Sequence, residues 1–560
     1  MRYTLKLLML MTLAFVSCSC EKNTEGGGQA AKAFNMEITL NKYFNNFGTT
    51  STKIWKKTDK IVLVNTASPA DKSEASPIMS ENIVSMFTFA VTNANNGDGL
   101  FAYFAGSGVS YDDGKIKMNI PTTQKGNVNP VYIGKGTYSS NTSVRPSMEM
   151  TPCHSTLYAK MEKGNYSITK AVLTANGGEK IAGDVTFDYG TMSCSAAAAS
   201  ITVELTTPLD CRAGNQVFPF MVAPVTLSKG YTIKYTTDSG STFEFKTEDK
   251  TECQMGGKVD SGTADTGATQ LIFCGDNMIY HIDAELALAN GYKNAILWEW
   301  DAKSEAATVG KGMIRLDDCK PVDNNTKILA TSSQSYAVLV DYKTKKLLWY
   351  SNSSGNAHSA EMLPDNRIAV ACSDGADCIQ IFDVNLSNKV LFSTPLGSAH
   401  GVVWNQKTER LYAIGGTSLN IYKLTDWNTA APSLTLEKTI NTKSFVTGLH
   451  DMTLVDDNTL LVAGKNAAFF NIAQETFTKI PYFNATSTTG SGLKSVNYNP
   501  ETGECWYTDA TGSKRDPSWT MDDIRYTSNI NKVAPADCNW EKSIMVGAPF
   551  IMYKVRIFKW

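Results

Sequence analysis

Five short segments in the second half of the chain repeat one chemical feature: Asp318-Cys319-Lys320-Pro321-Val322, Asn356-Ala357-His358-Ser359-Ala360, Ala399-His400-Gly401-Val402, Leu449-His450-Asp451-Met452 and Leu493-Lys494-Ser495-Val496. Aligned, they place Lys320, His358, His400, His450 and Lys494 in one column, with spacings of 38, 42, 50 and 44 residues. Three of the five histidines in the chain stand in it. Such groups allow two kinds of chemistry. His358, His400 and His450 could converge on one divalent metal ion as neutral imidazoles with an open position, Asp451 or Asp318 adding a carboxylate. Without a metal, lysines and imidazoles around a pit focus positive potential and attract a carboxylate or sulfate. A lyase would combine the two. Lys494 or a metal would neutralise a uronate carboxylate, and His400 or His450 would take the adjacent proton.

The elements that position the column recur with it. About ten residues on comes an apolar run, such as Lys327-Ile328-Leu329-Ala330, Arg367-Ile368-Ala369-Val370 or Arg410-Leu411-Tyr412-Ala413. Turn-forming groups such as Asp323-Asn324-Asn325 and Pro364-Asp365-Asn366 precede several runs, and third and fourth strands follow. This period is that of four-stranded propeller blades, their inner strands lining a central axis. Residues 270–300 supply three strands with no first one, and the last strand, Met552 to Phe558, would close the ring as a sixth blade. That closure brings Lys554 into the column, with Arg556 facing the same side.

The fold class expected is all-β, a tandem β-sandwich over 34–258 followed by a six-bladed propeller over 269–560. Residues 259–268, rich in Gly, Ser, Thr and Asp, read as a linker. Residues 1–20 read as a secretory segment, Arg2 and Lys6 preceding the apolar Leu7 to Val16, and 21–33 as a tether. Phe15-Val16-Ser17-Cys18 resembles a bacterial lipobox, which implies lipidation at Cys18 and anchoring to a membrane. A formal net charge of −2, with no basic run, excludes a nucleic-acid partner. Cysteine spacing shows no CxxC pairs. Cys372 and Cys378 flank a turn, which leaves two readings, a disulfide across the hairpin or buried free thiols.

Ile54-Trp55-Lys56-Lys57-Thr58-Asp59, Ile120-Pro121-Thr122-Thr123-Gln124, Met150-Thr151-Pro152-Cys153-His154-Ser155 and Met221-Val222-Ala223-Pro224 resemble segments of fimbrillin-like lipoproteins of the Bacteroidetes. The resemblance implies transthyretin-like sandwiches, an outer-membrane, cell-surface setting and fimbrial subunits as partners. The segments Asn-Ala-His-Ser, Ala-His-Gly-Val-Val-Trp and Leu-Lys-Ser-Val resemble an uncharacterised propeller family of the same bacteria. Oligogalacturonate lyases, propellers with axial metal-binding histidines, are similar at the level of fold only. A histidine before an inner strand also resembles the Gly-His segment of WD-type propellers, where it is structural. Lysine at 320 and 494 argues against that role, because it cannot accept a hydrogen bond. His154 and His281, outside the column, read as structural.

Three functions stay open on these grounds. One is a surface lipoprotein whose propeller binds an anionic carbohydrate through Lys320, His358, His400, His450, Lys494, Lys554 and Arg556. Another is a metal-assisted lyase on uronate glycans. The third is a fimbria-associated adhesin with a structural histidine column. Trp404, Trp506 and Trp519 are possible sugar platforms.

Overall fold

Leu329 and its neighbours Ile328 and Ala330 point to opposite faces of one strand, and both faces are buried. Leu329 packs with Ile368 and Val370 of the following repeat, whereas Ile328 and Ala330 pack with Ile272 and Trp298 of the preceding one. The same division holds along the second strands of the other repeats, so six apolar clusters fill six interfaces between neighbouring sheets. This explains the apolar runs. A strand buried on both faces reads as continuous rather than alternating hydrophobicity.

The computed structural model describes residues 32–560 except 47, 142–145, 265, 306, 353, 485–491, 512 and 533–539. The signal segment, most of the tether and Cys18 lie outside the described residues. From Gln270 onward the chain forms six four-stranded antiparallel sheets arranged as a propeller. The inner strands of blades two to six are Leu316–Val322, Ala357–Leu363, Ala399–Asn405, Asp451–Asp456 and Leu493–Tyr498. Blade one takes its inner strand from the C-terminus: Met552–Lys559 pairs antiparallel with Gln270–Gly275.

The N-terminal part is also β-structure. A seven-stranded sheet beginning with Lys32–Leu40 covers a core that includes Trp55, Phe87 and Tyr132. Five-, four- and three-stranded sheets surround a second core with Leu157, Ile168, Phe220 and Ile233. Two expected boundaries shift. Lys32 and Ala33, placed in the tether by composition, already belong to the first strand. Half of the expected linker is the strand Lys258–Thr263, parallel to Ser155–Met161. Its small polar residues are structural there, since the Ser261 hydroxyl accepts from the Lys160 N–H. Cys372 and Cys378 stand directly opposite across their hairpin as free thiols.

Candidate functional site

The inner strands carry one repeated irregularity. In blades two, three, four and six the register slips by one residue, between Leu316 and Asp318, Ala357 and Ser359, Ala399 and Gly401, and Leu493 and Ser495. In blade one the slip falls between Met552 and Val555. Such a bulge re-aims the extra side chain, here toward the axis. The residues so placed are Asp317, His358, His400, Lys494 and Tyr553, and His450 takes the same position just ahead of Asp451 in blade five. All six line a single axial pit of about 930 Å3. Two residues before the bulge, Asn356, Ser398, Gly448 and Gly492 all have positive φ.

This turn fixes the imidazoles. His400 Nδ1 lies 2.8 Å from Ser398 O, and His450 Nδ1 lies 2.6 Å from Gly448 O. A nitrogen facing a carbonyl must carry the proton, so both Nε2 atoms hold lone pairs. Burial lowers His400 to about 4. It also holds His358 and His450 well below the ordinary range, with help from His400 and Lys554 for the first and Lys494 for the second. Lys494 is 2 % exposed, and burial followed by the nearby Lys554 charge lowers it to about 7. Among the described residues its ammonium faces the Tyr553 ring, 5.4 Å from the centroid, and has no carboxylate at ion-pair distance. Burial pushes the Asp317 carboxyl up to about 8. Exposed Arg315, Lys465 and Asp374 stand on the rim, with Trp519 edge-on to Tyr553.

Beneath the pit the axis is plugged by ion pairs. Arg556 donates to both oxygens of Asp318 and both of Asp451, at 2.6 to 2.9 Å. Lys554, wholly buried, lies 3.3 Å from the His358 and His400 carbonyls and 3.4 Å from Asp451. Lys320 donates to Glu361 at 3.0 Å and to Val402 O at 2.7 Å. Burial alone would push Asp318 up, yet the Arg556 and Lys554 charges hold it well below the usual carboxylate range. Three carboxylates, Asp318, Glu361 and Asp451, thus match three cations, Lys320, Lys554 and Arg556.

These pairings correct the expected ligand set. Lys320, Lys554 and Arg556 do not share the pit with the histidines. Inward side chains on one strand recur every second residue, a step of about 6.6 Å along the axis. Lys554 directly follows the bulge residue Tyr553 and lies below the pit, against the His358 and His400 carbonyls. Lys320 and Arg556 reach the opposite mouth, a smaller pocket of about 300 Å3 with Glu361, Trp404 and Trp560. Trp506 is core. Of the three tryptophans only Trp519 lines the pit.

The metal expectation is corrected as well. His358 and His400 stack with centroids 4.3 Å apart and planes 13° from parallel, and His450 meets His400 edge-on. Nitrogen lone pairs lie in the ring plane, so stacked rings do not aim at one ion between them. Among the described residues no group of three or more His, Cys, Asp or Glu is arranged to hold a metal ion. His281 is structural: its two nitrogens meet Tyr342 and Gln270, and its ring stacks on Phe558. His154 is buried.

Residues 284–523, within the propeller, match the model of a family of unknown function, DUF6528. No curated protein matches. Among solved structures the chain is similar to the crystal structure of the WD40 beta propeller domain of Doa1, at 10% identity and a TM-score of 0.31. That alignment covers 51% of this chain and 91% of the other.

Proposed function

We propose that the axial pit binds an acidic carbohydrate, through its carboxylate or sulfate at Lys494 and its hydroxyls at the imidazoles. The observation that carries this reading is the contrast in pairing along the axis. Among the described residues the deeper cations Lys320, Lys554 and Arg556 each have a carboxylate partner, whereas Lys494 has none and stands beside two imidazole lone pairs. A sugar hydroxyl both donates and accepts, so it satisfies Nε2 of His400 or His450 as a simple inorganic anion does not. Arg315 and Lys465 add positive potential at the rim, and Trp519 with Tyr553 offers an aromatic wall. The N-terminal β-region, by its resemblance to fimbrillin-like lipoproteins, serves as a stalk anchored to the outer membrane through Cys18, where fimbrial subunits are further partners.

Calorimetric titration of the full-length protein with oligogalacturonate and oligoglucuronate tests the reading. Binding should weaken on the order of tenfold or more in Lys494→Met, since truncating one partner of a buried charge pair costs several kcal/mol. Equal affinity for neutral oligosaccharides, or no effect of the substitution, would sink it. A second reading, uronate elimination, is favoured by the Nε2 lone pairs of His400 and His450, either of which could act as base. Ultraviolet absorbance of unsaturated products in the same titrations checks it.

A further inference from the structure

Of the axial residues, three keep buried polar atoms without a hydrogen-bond partner among the described residues: Asp317 Oδ2, His358 Nδ1 and Ser359 Oγ. The first two belong to the pit. Asp317 is 2 % exposed and His358 9 %. Buried polar groups are otherwise almost always paired, and the plug one layer down obeys that rule. We propose that Asp317 and His358 together form a hydroxyl-reading position, which makes the pit select a hydroxy acid such as a uronate over a bare anion. This rests on the acidic-carbohydrate reading above and deepens it.

The geometry suits one oxygen. His358 Nδ1 lies 3.7 Å from Asp317 Oδ1, too far for a direct hydrogen bond. Ser333 also stands beside this carboxyl, and the oxygen left without a partner is Oδ2. One hydroxyl oxygen within hydrogen-bond reach of Oδ2 and of Nδ1 would bridge the two side chains. The raised Asp317 carboxyl is protonated at neutral pH and can donate to that oxygen, and His358, kept neutral by burial, can accept its proton. Acetate or sulfate has no proton to give there. Inner strands follow one another around the axis, so His358 of blade three stands across from Lys494 of blade six. The hydroxyl-reading position and the charge-reading position are therefore on opposite walls. The ligand must carry the two groups far enough apart to reach both, as a sugar ring does.

The test compares oligogalacturonate with acetate and sulfate at pH 7, by calorimetry on the full-length protein. Wild type should prefer the uronate, and Asp317→Ala should lower uronate affinity about tenfold, well beyond any change for acetate and sulfate, which feel Asp317 only through the Lys494 charge. Asp317→Asn, which keeps a donor and an acceptor of the same shape, should retain most of the affinity and guards against misfolding of the alanine variant. Equal losses for uronate and bare anions, or no loss in Asp317→Ala, would overturn the inference. If wild type binds no uronate, the binding reading itself fails. If Lys494→Met loses uronate and Asp317→Ala does not, only this inference falls.

Discussion

Lys494 combines a long aliphatic stem buried among inner strands with an ammonium that, on the reading proposed above, meets an anion, and burial sets its titration. The nearby Lys554 opposes its charge, Asp509 and Asp317 favour it, and the neutral His400 and His450 beside it carry no charge of their own. With its folded value at about 7 instead of 10.5, it is charged below neutrality and loses its proton as pH rises. Uronate affinity should fall between pH 6 and pH 8.5, and the fall should flatten in Lys494→Met, as titrations at several pH values will show. For stability the sign is opposite. Between about 7 and 10.5 the unfolded chain holds more protons than the folded one, so this residue's cost is full below 7 and relieved above it. Lys494→Met should therefore gain more stability over wild type at pH 6 than at pH 9 in urea unfolding. Asp317 runs the other way, since its folded value is raised to about 8. Its penalty grows as pH climbs from about 4 to 8, which is why the comparison must be made variant against wild type.

At the scale of the strand, the bulge decides what the column can do. His358, His400, His450 and Lys494 were legible as basic residues recurring about ten residues ahead of each apolar run, and the structure sets each of them two residues after a residue of positive φ. Asp317 and Tyr553 were not, because neither is basic and the Asp317-Asp318 pair leaves the register ambiguous by one. Aligning cations rather than bulges then moved Lys320 and Lys554 into a ring they do not join. The plug was hidden for another reason: Arg556 meets Asp318 across 238 residues and Asp451 across 105, a pairing that only ring closure creates. Removing one member of a buried charge network leaves the rest uncompensated. Arg556→Met should cost about 3–5 kcal/mol in urea unfolding, with Asp318 and Asp451 then sharing Lys554 alone. A loss below about 1 kcal/mol would mean that the plug is not a stabilising network.

At the scale of the molecule, propeller and pit depend on one event, the return of Met552–Lys559 to pair with Gln270–Gly275. That strand gives blade one its inner edge and brings Tyr553 to the pit and Lys554 and Arg556 to the plug. It was readable because residues 270–300 supply strands two to four of a blade and the chain ends on an apolar, alternating segment. Deleting residues 552–560 would expose the strand edge of Gln270–Gly275 and the faces of two apolar clusters, those containing Val555 and Phe558. It would also strand Asp318 and Asp451 without Arg556 or Lys554. An open ring of this kind retains no interface between blades one and six comparable to its other five, and free edges pair with other chains. The truncated protein should lose the cooperative unfolding transition of the propeller and associate in solution, read by denaturant unfolding and sedimentation. Arg556→Met, by contrast, keeps the strand and should remain monodisperse with a lowered midpoint. If the truncated chain unfolded as cooperatively as wild type, closure would not be what holds the ring, and the six-layer arrangement around the axis would have to be stabilised by the blade interfaces alone.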